Sequence, residues 1–346
     1  MNIRRLIAFI AWCTVLTLSS SGCYKKEWKT YPHTEIRAAI DIGSGATKLR
    51  IAEVNVKGDV VENIVYETHY PVLYQEALEN SSDGTFDEEI MDIGFAALKK
   101  CSEAAERYGA NAVVAVATAS FRKAKNVDVL VEKVLHELHI PIHIIDQRLE
   151  GILTFKAVAS REEYDVSKSV VWDIGGGSIQ LSTYDEDEQL MIYKGHEAST
   201  PFKKYIIEEL QRESLATTKT PNPMTKVDMW MARRHAREIA GEVGQEIRDR
   251  IKEKEITIIG VGNIFNYGIY PLVGEKAVFS RGELYEKTWR LEGKSDEELG
   301  GGPFADVALS NAILILGFMD ELGIEEMTIV DVNTADGALI YSEFWE

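Results

Sequence analysis

Asp41-Ile-Gly-Ser44 returns as Asp173-Ile-Gly-Gly-Gly-Ser178, and each copy stands where an apolar strand pattern ends. Arg37-Ala-Ala-Ile40 leads into the first copy and Ser169-Val-Val-Trp172 into the second; a further strand pattern follows each, from Thr47 and from Ile179. Small residues let main-chain N–H groups approach an anion, and successive N–H groups form a concave nest for phosphoryl oxygens. A carboxylate repels bare phosphate, so the Asp of each copy suits a hydrated divalent cation that phosphate also binds. One such turn is an ordinary hairpin. Two on matching strand–turn–strand frames predict a cleft between related domains that grips a phosphate chain from both sides.

The elements that must hold these turns follow from periodicity. Strands are predicted over 36–42, 47–55 and 60–70, then a helix over 86–107 with Ile90, Ile93, Ala97, Cys101 and Ala104 on one face. A continuous apolar strand over 111–117, a helix over 127–138, a strand over 140–145 and a helix over 150–159 complete the first half. The second half begins with strands from Lys168 and Ile179. Helices over 202–210 and 226–251, a strand over 256–260 and a helical stretch after Gly260-Val-Gly-Asn263 come next. A charged loop with a short helix (274–302), an apolar helix (305–322), a strand (327–332) and a closing helix (336–345) end the chain. Such alternation argues an α/β fold with a mixed sheet in each half.

At 346 residues the chain suits two domains of moderate size. A net charge of −18 argues against a nucleic-acid partner and means that an anionic substrate must be drawn by a local cationic cleft or by metal ions. The start of the chain has its own pattern. A basic Met1–Arg5, an apolar run over 6–18 and Ser19-Ser-Ser-Gly22 before Cys23 predict an export signal over 1–22. Cys23 would then be a lipidated first residue, residues 23–34 a polar tether, and the protein a lipoprotein on the periplasmic face of a bacterial membrane. Cys13 and Cys23 fall within that region, which leaves Cys101 as a buried apolar thiol with no internal disulfide partner. His136, His139 and His143 are separated by Pro141 and are not expected to form a metal site.

Five segments, taken in order, resemble the exopolyphosphatase/guanosine pentaphosphate phosphatase family. They are Asp41 to Thr47, Ala117-Thr-Ala-Ser-Phe-Arg-Lys-Ala-Lys-Asn126, Ile145 to Val158, Asp173 to Ser178, and Pro303 to Gly337 with its Ala305-Asp-Val307. The resemblance covers the chain from Ile36 onward, and the short two-domain form is the one that fits. It implies a two-domain actin-like, hexokinase-like fold of ribonuclease H-like repeats with a central cleft. Residues 35–148 would form the first domain, completed by a C-terminal helix over 334–346, and residues 149–333 the second. It implies hydrolysis of a terminal phosphoanhydride of polyphosphate or a phosphorylated nucleotide with Mg²⁺ or another divalent cation.

By the same resemblance Glu150 is the general base, and Arg122 steadies the transferred phosphoryl group with its planar fork. Asp41, Asp173 and Gln180 would hold the metal. Gly43, Ser44, Gly45, Gly175, Gly176, Gly177, Ser178, Gly260 and Gly262 would surround the phosphates. The resemblance leaves room for a homodimer. Departures are visible: Gly45-Ala46 stand where the family has Asn-Ser, and Ile179-Gln180 where it has Thr-Glu, a metal-linked carboxylate. Gly260-Val-Gly-Asn263 replaces a more glycine-rich turn. They motivate an alternative, a phosphate-chain or nucleotide sensor with weakened chemistry. A kinase of the same superfamily is a third reading.

Overall fold

Every residue from Arg37 to Ile42 is buried, because this stretch runs through the middle of a sheet. The computed structural model describes residues 33–345, apart from Gly58. The expected signal, Cys23 and most of the tether lie outside the described residues. No helix among the described residues is long and apolar enough to cross a membrane.

The first sheet has the order β3-β2-β1-β4-β5, built from β1 (Thr34–Ile42), β2 (Ala46–Asn55), β3 (Val60–Pro71), β4 (Ala112–Ala117) and β5 (Ile142–Ile144). β1 and β2 are antiparallel, as are β2 and β3, whereas β4 and β5 continue in parallel. Alternation sorts its side chains. Ala38, Ile40, Ala115 and Ala117 pack on one face, against α1 (Tyr74–Asn80), α2 (Glu88–Arg107), α3 (Ala119–Lys123) and α4 (Val127–Leu138). Ala39, Val114 and Val116 point to the other face, toward Leu153, Ala335, Ala338 and Leu339.

The second sheet repeats the scheme. β6 (Ser169–Ile174), β7 (Ile179–Tyr184) and β8 (Leu190–Gly195) form the antiparallel part, and β9 (Thr257–Val261) pairs parallel to β6. β10 (Val278–Ser280) and β11 (Glu326–Val330) extend the sheet to the order β10-β11-β9-β6-β7-β8. Trp172 and Ile174 face a large core with α6 (Ser199–Tyr205), α7 (Lys226–Ala240), α8 (Gln245–Ile251), α9 (Arg281–Trp289) and α10 (Ala305–Leu322). Val171 and Val261 face Phe155 and Val158 of α5 (Gln147–Ala159) instead. Two mixed sheets of matching order, each opening on three antiparallel strands, make this the expected repeated α/β fold.

Three expectations change. The helix over 226–251 is two helices, with Gly241 capping the first and Gly244 opening the second. Ile93 is 44% exposed, because α2 buries Ile90, Gly94, Ala97, Leu98 and Cys101 and is turned away from it. The closing helix, α11, runs over Thr334–Ile340, capped by Asn333 and boxed by Asp336, and gives way to a single turn at Ser342–Phe344.

Candidate active site

The two aspartate-bearing turns close identically. Gly43 N–H donates to the Ala46 carbonyl at 3.0 Å, and Gly175 N–H to the Ser178 carbonyl at 2.9 Å. The next carbonyls are used alike: Ser44 O accepts from Gln75 N at the start of α1, and Gly176 O from Thr200 N at the start of α6, each at 2.9 Å. The duplicated device is therefore strand, turn, two strands and the opening of a helix. Gly43 and Gly175 spend their N–H groups on the turns themselves. Gly45 and Gly176 donate to no protein acceptor among the described residues, and both line the cavity.

The turns touch. A Cβ on Gly176 would stand 2.8 Å from Ser44 Cβ, and one on Gly177 would stand 2.7 Å from Gln75 Oε1 and 3.1 Å from Ser44 Oγ. Gly177 thus serves this close approach and does not line the cavity. The cavity, of about 300 Å³, has Asp41, Ser44, Glu150, Asp173, Gly175 and Ser178 on its wall.

Register places Lys48 opposite Asp41 and Gln180 opposite Asp173. Lys48 Nζ donates to Asp41 Oδ2 at 2.7 Å. Burial alone lowers the Lys48 pKa, but Asp41, Asp173 and Glu150 outweigh it and hold the ammonium above its ordinary value. Burial pushes the Asp173 carboxyl up to about 7, against the pull of Lys48 and with the help of Glu150 and Asp41. Glu150 is raised by burial too, opposed chiefly by Arg122. Ser178 Oγ donates to Glu150 Oε1 at 3.1 Å, and Arg122 Nη1 donates to Oε2 at 2.9 Å and to the Ile145 carbonyl at 2.9 Å.

α5 aims this glutamate. Asp146 caps the helix by accepting from Leu149 N at 2.7 Å, which sets Glu150 in the first turn. A Cβ on Gly151 would stand 2.9 Å from Ile192 and 3.0 Å from Ser182 Oγ, so α5 lies hard against β7 and β8. On its other side a Cβ on Gly337 would run into the Leu153 carbonyl. The helix is clamped between the second sheet and α11.

Several expected site residues stand elsewhere. Arg122 is not on the cavity wall and holds the Glu150 carboxylate. Gly260 is a packing glycine, since a Cβ there would meet the Phe265 ring at 2.6 Å. Gly262 has φ +85°, and a Cβ would stand 2.8 Å from Asp173 Oδ1, so it makes room for the carboxylate from outside the cavity. Gln180 is buried away from the wall, with neither amide atom hydrogen-bonded among the described residues. Lys48 is the residue that sequence reasoning missed. The hairpin register implied by the Asp41 turn was the signal that could have found it.

A divalent cation can be tested against this geometry. Asp41 Oδ1 is buried without a hydrogen-bond partner among the described residues, and Asp173 has a pKa that a nearby cation would pull down. No group of three His, Cys, Asp or Glu side chains is assembled around an ion among the described residues. Two carboxylates fit a cation such as Mg²⁺ that keeps several waters and binds phosphate, and do not fit an all-protein cage.

Residues 57–196, which include Arg122, Glu150 and the second turn, match the Ppx/GppA phosphatase family. Over that segment the chain is similar to Ppx/GppA phosphatases. A curated relative, the bifunctional 3-dehydroquinate synthase/phosphatase of Fusobacterium nucleatum, is 30% identical over 158 residues, 44% of this chain and 23% of that protein. The chain thus spans about a quarter of the length of that relative. Likeness of fold to solved structures extends beyond the matched segment. The structure of the Aquifex aeolicus PPX-GPPA enzyme superposes with a TM-score of 0.65 at 18% identity, covering 89% of this chain and 99% of that one. An exopolyphosphatase from Cytophaga hutchinsonii gives 0.69 at 20% identity, with 90% and 98% covered. At these identities the likeness is one of fold.

Proposed function

We propose that this protein is a phosphoanhydride hydrolase that releases the terminal phosphate of polyphosphate or a phosphorylated nucleotide. One observation carries the reading: the Glu150 carboxylate stands in the cavity between the two turns, fixed by Ser178 and Arg122. Its raised pKa makes it a stronger base than a solvated carboxylate. Glu150 would take a proton from the attacking water as the water oxygen bonds to phosphorus. The bond to the bridging oxygen then breaks, and its electron pair leaves with the shortened phosphate. The N–H groups of Gly45 and Gly176 would face the charge that must be held, with Lys48 balancing Asp41 beside them. Asp41 and Asp173 would hold Mg²⁺, which would neutralise phosphoryl oxygens when bound.

The test is phosphate release from polyphosphates and nucleotides, with and without Mg²⁺. Glu150→Gln should lower turnover by about 10²–10⁴-fold while circular dichroism stays unchanged. Turnover equal to the parent's would reject the proposal. A sensor reading is favoured by Gln180, whose uncharged amide is buried off the cavity where the family has a carboxylate. It predicts saturable binding with no turnover under any metal. We further propose export and lipid anchorage at Cys23; labelled palmitate should enter the protein and be absent from Cys23→Ser.

A further inference from the structure

We infer that the cleft takes a short phosphoanhydride whose far end is an uncharged, ring-bearing group without further phosphates, a nucleoside di- or triphosphate. This rests on the hydrolase reading above and narrows its substrate.

The first ground is the supply of cations. Among the described residues, the cavity wall has five carboxylates (Asp41, Glu76, Glu150, Asp173 and Asp306) against two lysines, Lys48 and Lys203, and no arginine. Both lysines are already engaged. Lys48 is bonded to Asp41, and Lys203 is held by Glu76 at 3.1 Å and Asp306 at 2.6 Å. Lys203 is buried, so its charge is taken up inside this triad and is not offered to a passing chain. His69 has its pKa lowered by burial first and by Lys48 second, so it is neutral at neutral pH. A long polyphosphate carries charge on every unit and needs counter-charges along its whole path. Here a cation at Asp41 and Asp173 would serve the reacting end, and beyond it Glu76 and Asp306 repel further phosphates.

The second ground is the rest of the wall. Tyr267 and Phe304 line the cavity and remain 54% and 36% exposed, beside Leu73, Ile264, Pro303 and Val307. Both rings therefore keep part of their surface exposed. The Tyr267 ring leans on the His69 ring at 4.9 Å between centroids, which steadies it. Phe304 comes within 3.7 Å of where a Cβ on Gly45 would stand, so aromatic surface adjoins the first phosphate turn directly. A base or similar ring attached one or two phosphates from the reacting centre would find this surface, and stacking tolerates different rings.

The experiment measures phosphate release by the full chain with Mg²⁺ from the four common ribonucleoside triphosphates, inorganic tripolyphosphate and long-chain polyphosphate. The best nucleotide should exceed tripolyphosphate in kcat/KM by about tenfold or more, and that ratio should fall by about tenfold in Tyr267→Ala or Phe304→Ala. Melting curves check that both variants fold; the ranking of substrates by the parent protein stands as a test without them. A parent that prefers either inorganic chain overturns the inference and leaves the hydrolase reading standing. So does a ratio unmoved in both folded variants. Release from none of the substrates overturns both.

Discussion

Three carboxylates and one ammonium share the floor of the cleft, and their electrostatics set a sign that can be measured. Asp173 in the folded chain keeps its proton up to about pH 7, whereas the unfolded side chain ionises near 3.8. Across that window the folded state holds more protons, so this group's contribution to stability declines as pH rises and is lowest above 7. Without divalent cations the protein should melt lower at pH 8 than at pH 5.5, and Asp173→Asn should remove that contribution. At pH 8 the variant should melt at least about 4 °C higher than the parent, yet lose the stabilisation that Mg²⁺ gives the parent. A variant no more stable than the parent in metal-free buffer would contradict the burial argument. These residues were unequally legible. The two Asp were visible as a repeat and Glu150 through the family resemblance. Lys48 was not, because a lone lysine in a strand has no periodicity, and only pairing across the hairpin brings it to Asp41.

At the scale of elements, the site depends on glycines that bring backbone against backbone. α5 is pressed by Gly337 of α11 on one side and by β7 and β8 at its own Gly151 on the other. Gly337→Val should cost about 2–4 kcal/mol, read from urea midpoints, because neither the helix nor the carbonyl of Leu153 can retreat without breaking a core. Gly176→Val tests a different link. The wedge forces the second turn away from Ser44, so phosphate release should fall by about 10²-fold while stability drops by only about 1–2 kcal/mol. Equal losses in both quantities would mean that the turns need no mutual contact. α4 was readable because it buries a regular face, and α10 because it is a long apolar run buried nearly all round. α1 was not: it is seven residues long, buries Tyr74 and Gln75 alone, and has no side-chain cap. β8 was missed for a related reason, since before Gly195 none of its residues is buried and its pattern never alternates.

Over the whole molecule, the two sheets have separate cores, and charged side chains join the layers that meet at the cleft. Arg50 of β2 is buried against Glu67, Asp331 at 2.8 Å and Asp336 at 3.4 Å, tying the first sheet to α11 and the loop before it. On the other side Lys203 and Lys204 of α6 reach Glu76 and Glu79 of α1. These links add no positive field, and the chain as a whole carries −18. On the proposed function, an anionic substrate would be opposed during its approach and attracted only by a cation held in the cleft. The Debye length falls from about 30 Å at 0.01 M salt to about 10 Å at 0.1 M, so added salt removes the long-range repulsion before it disturbs contacts inside the cleft. At fixed free Mg²⁺, kcat/KM for phosphate release should rise by about two- to fivefold as KCl is raised over that range. A basic cleft that steered its substrate would show the opposite slope. A fall in kcat/KM with salt would show that attraction inside the cleft outweighs the field of the whole chain. The paired state of Lys48 and Lys203 would then not describe the protein that meets its substrate.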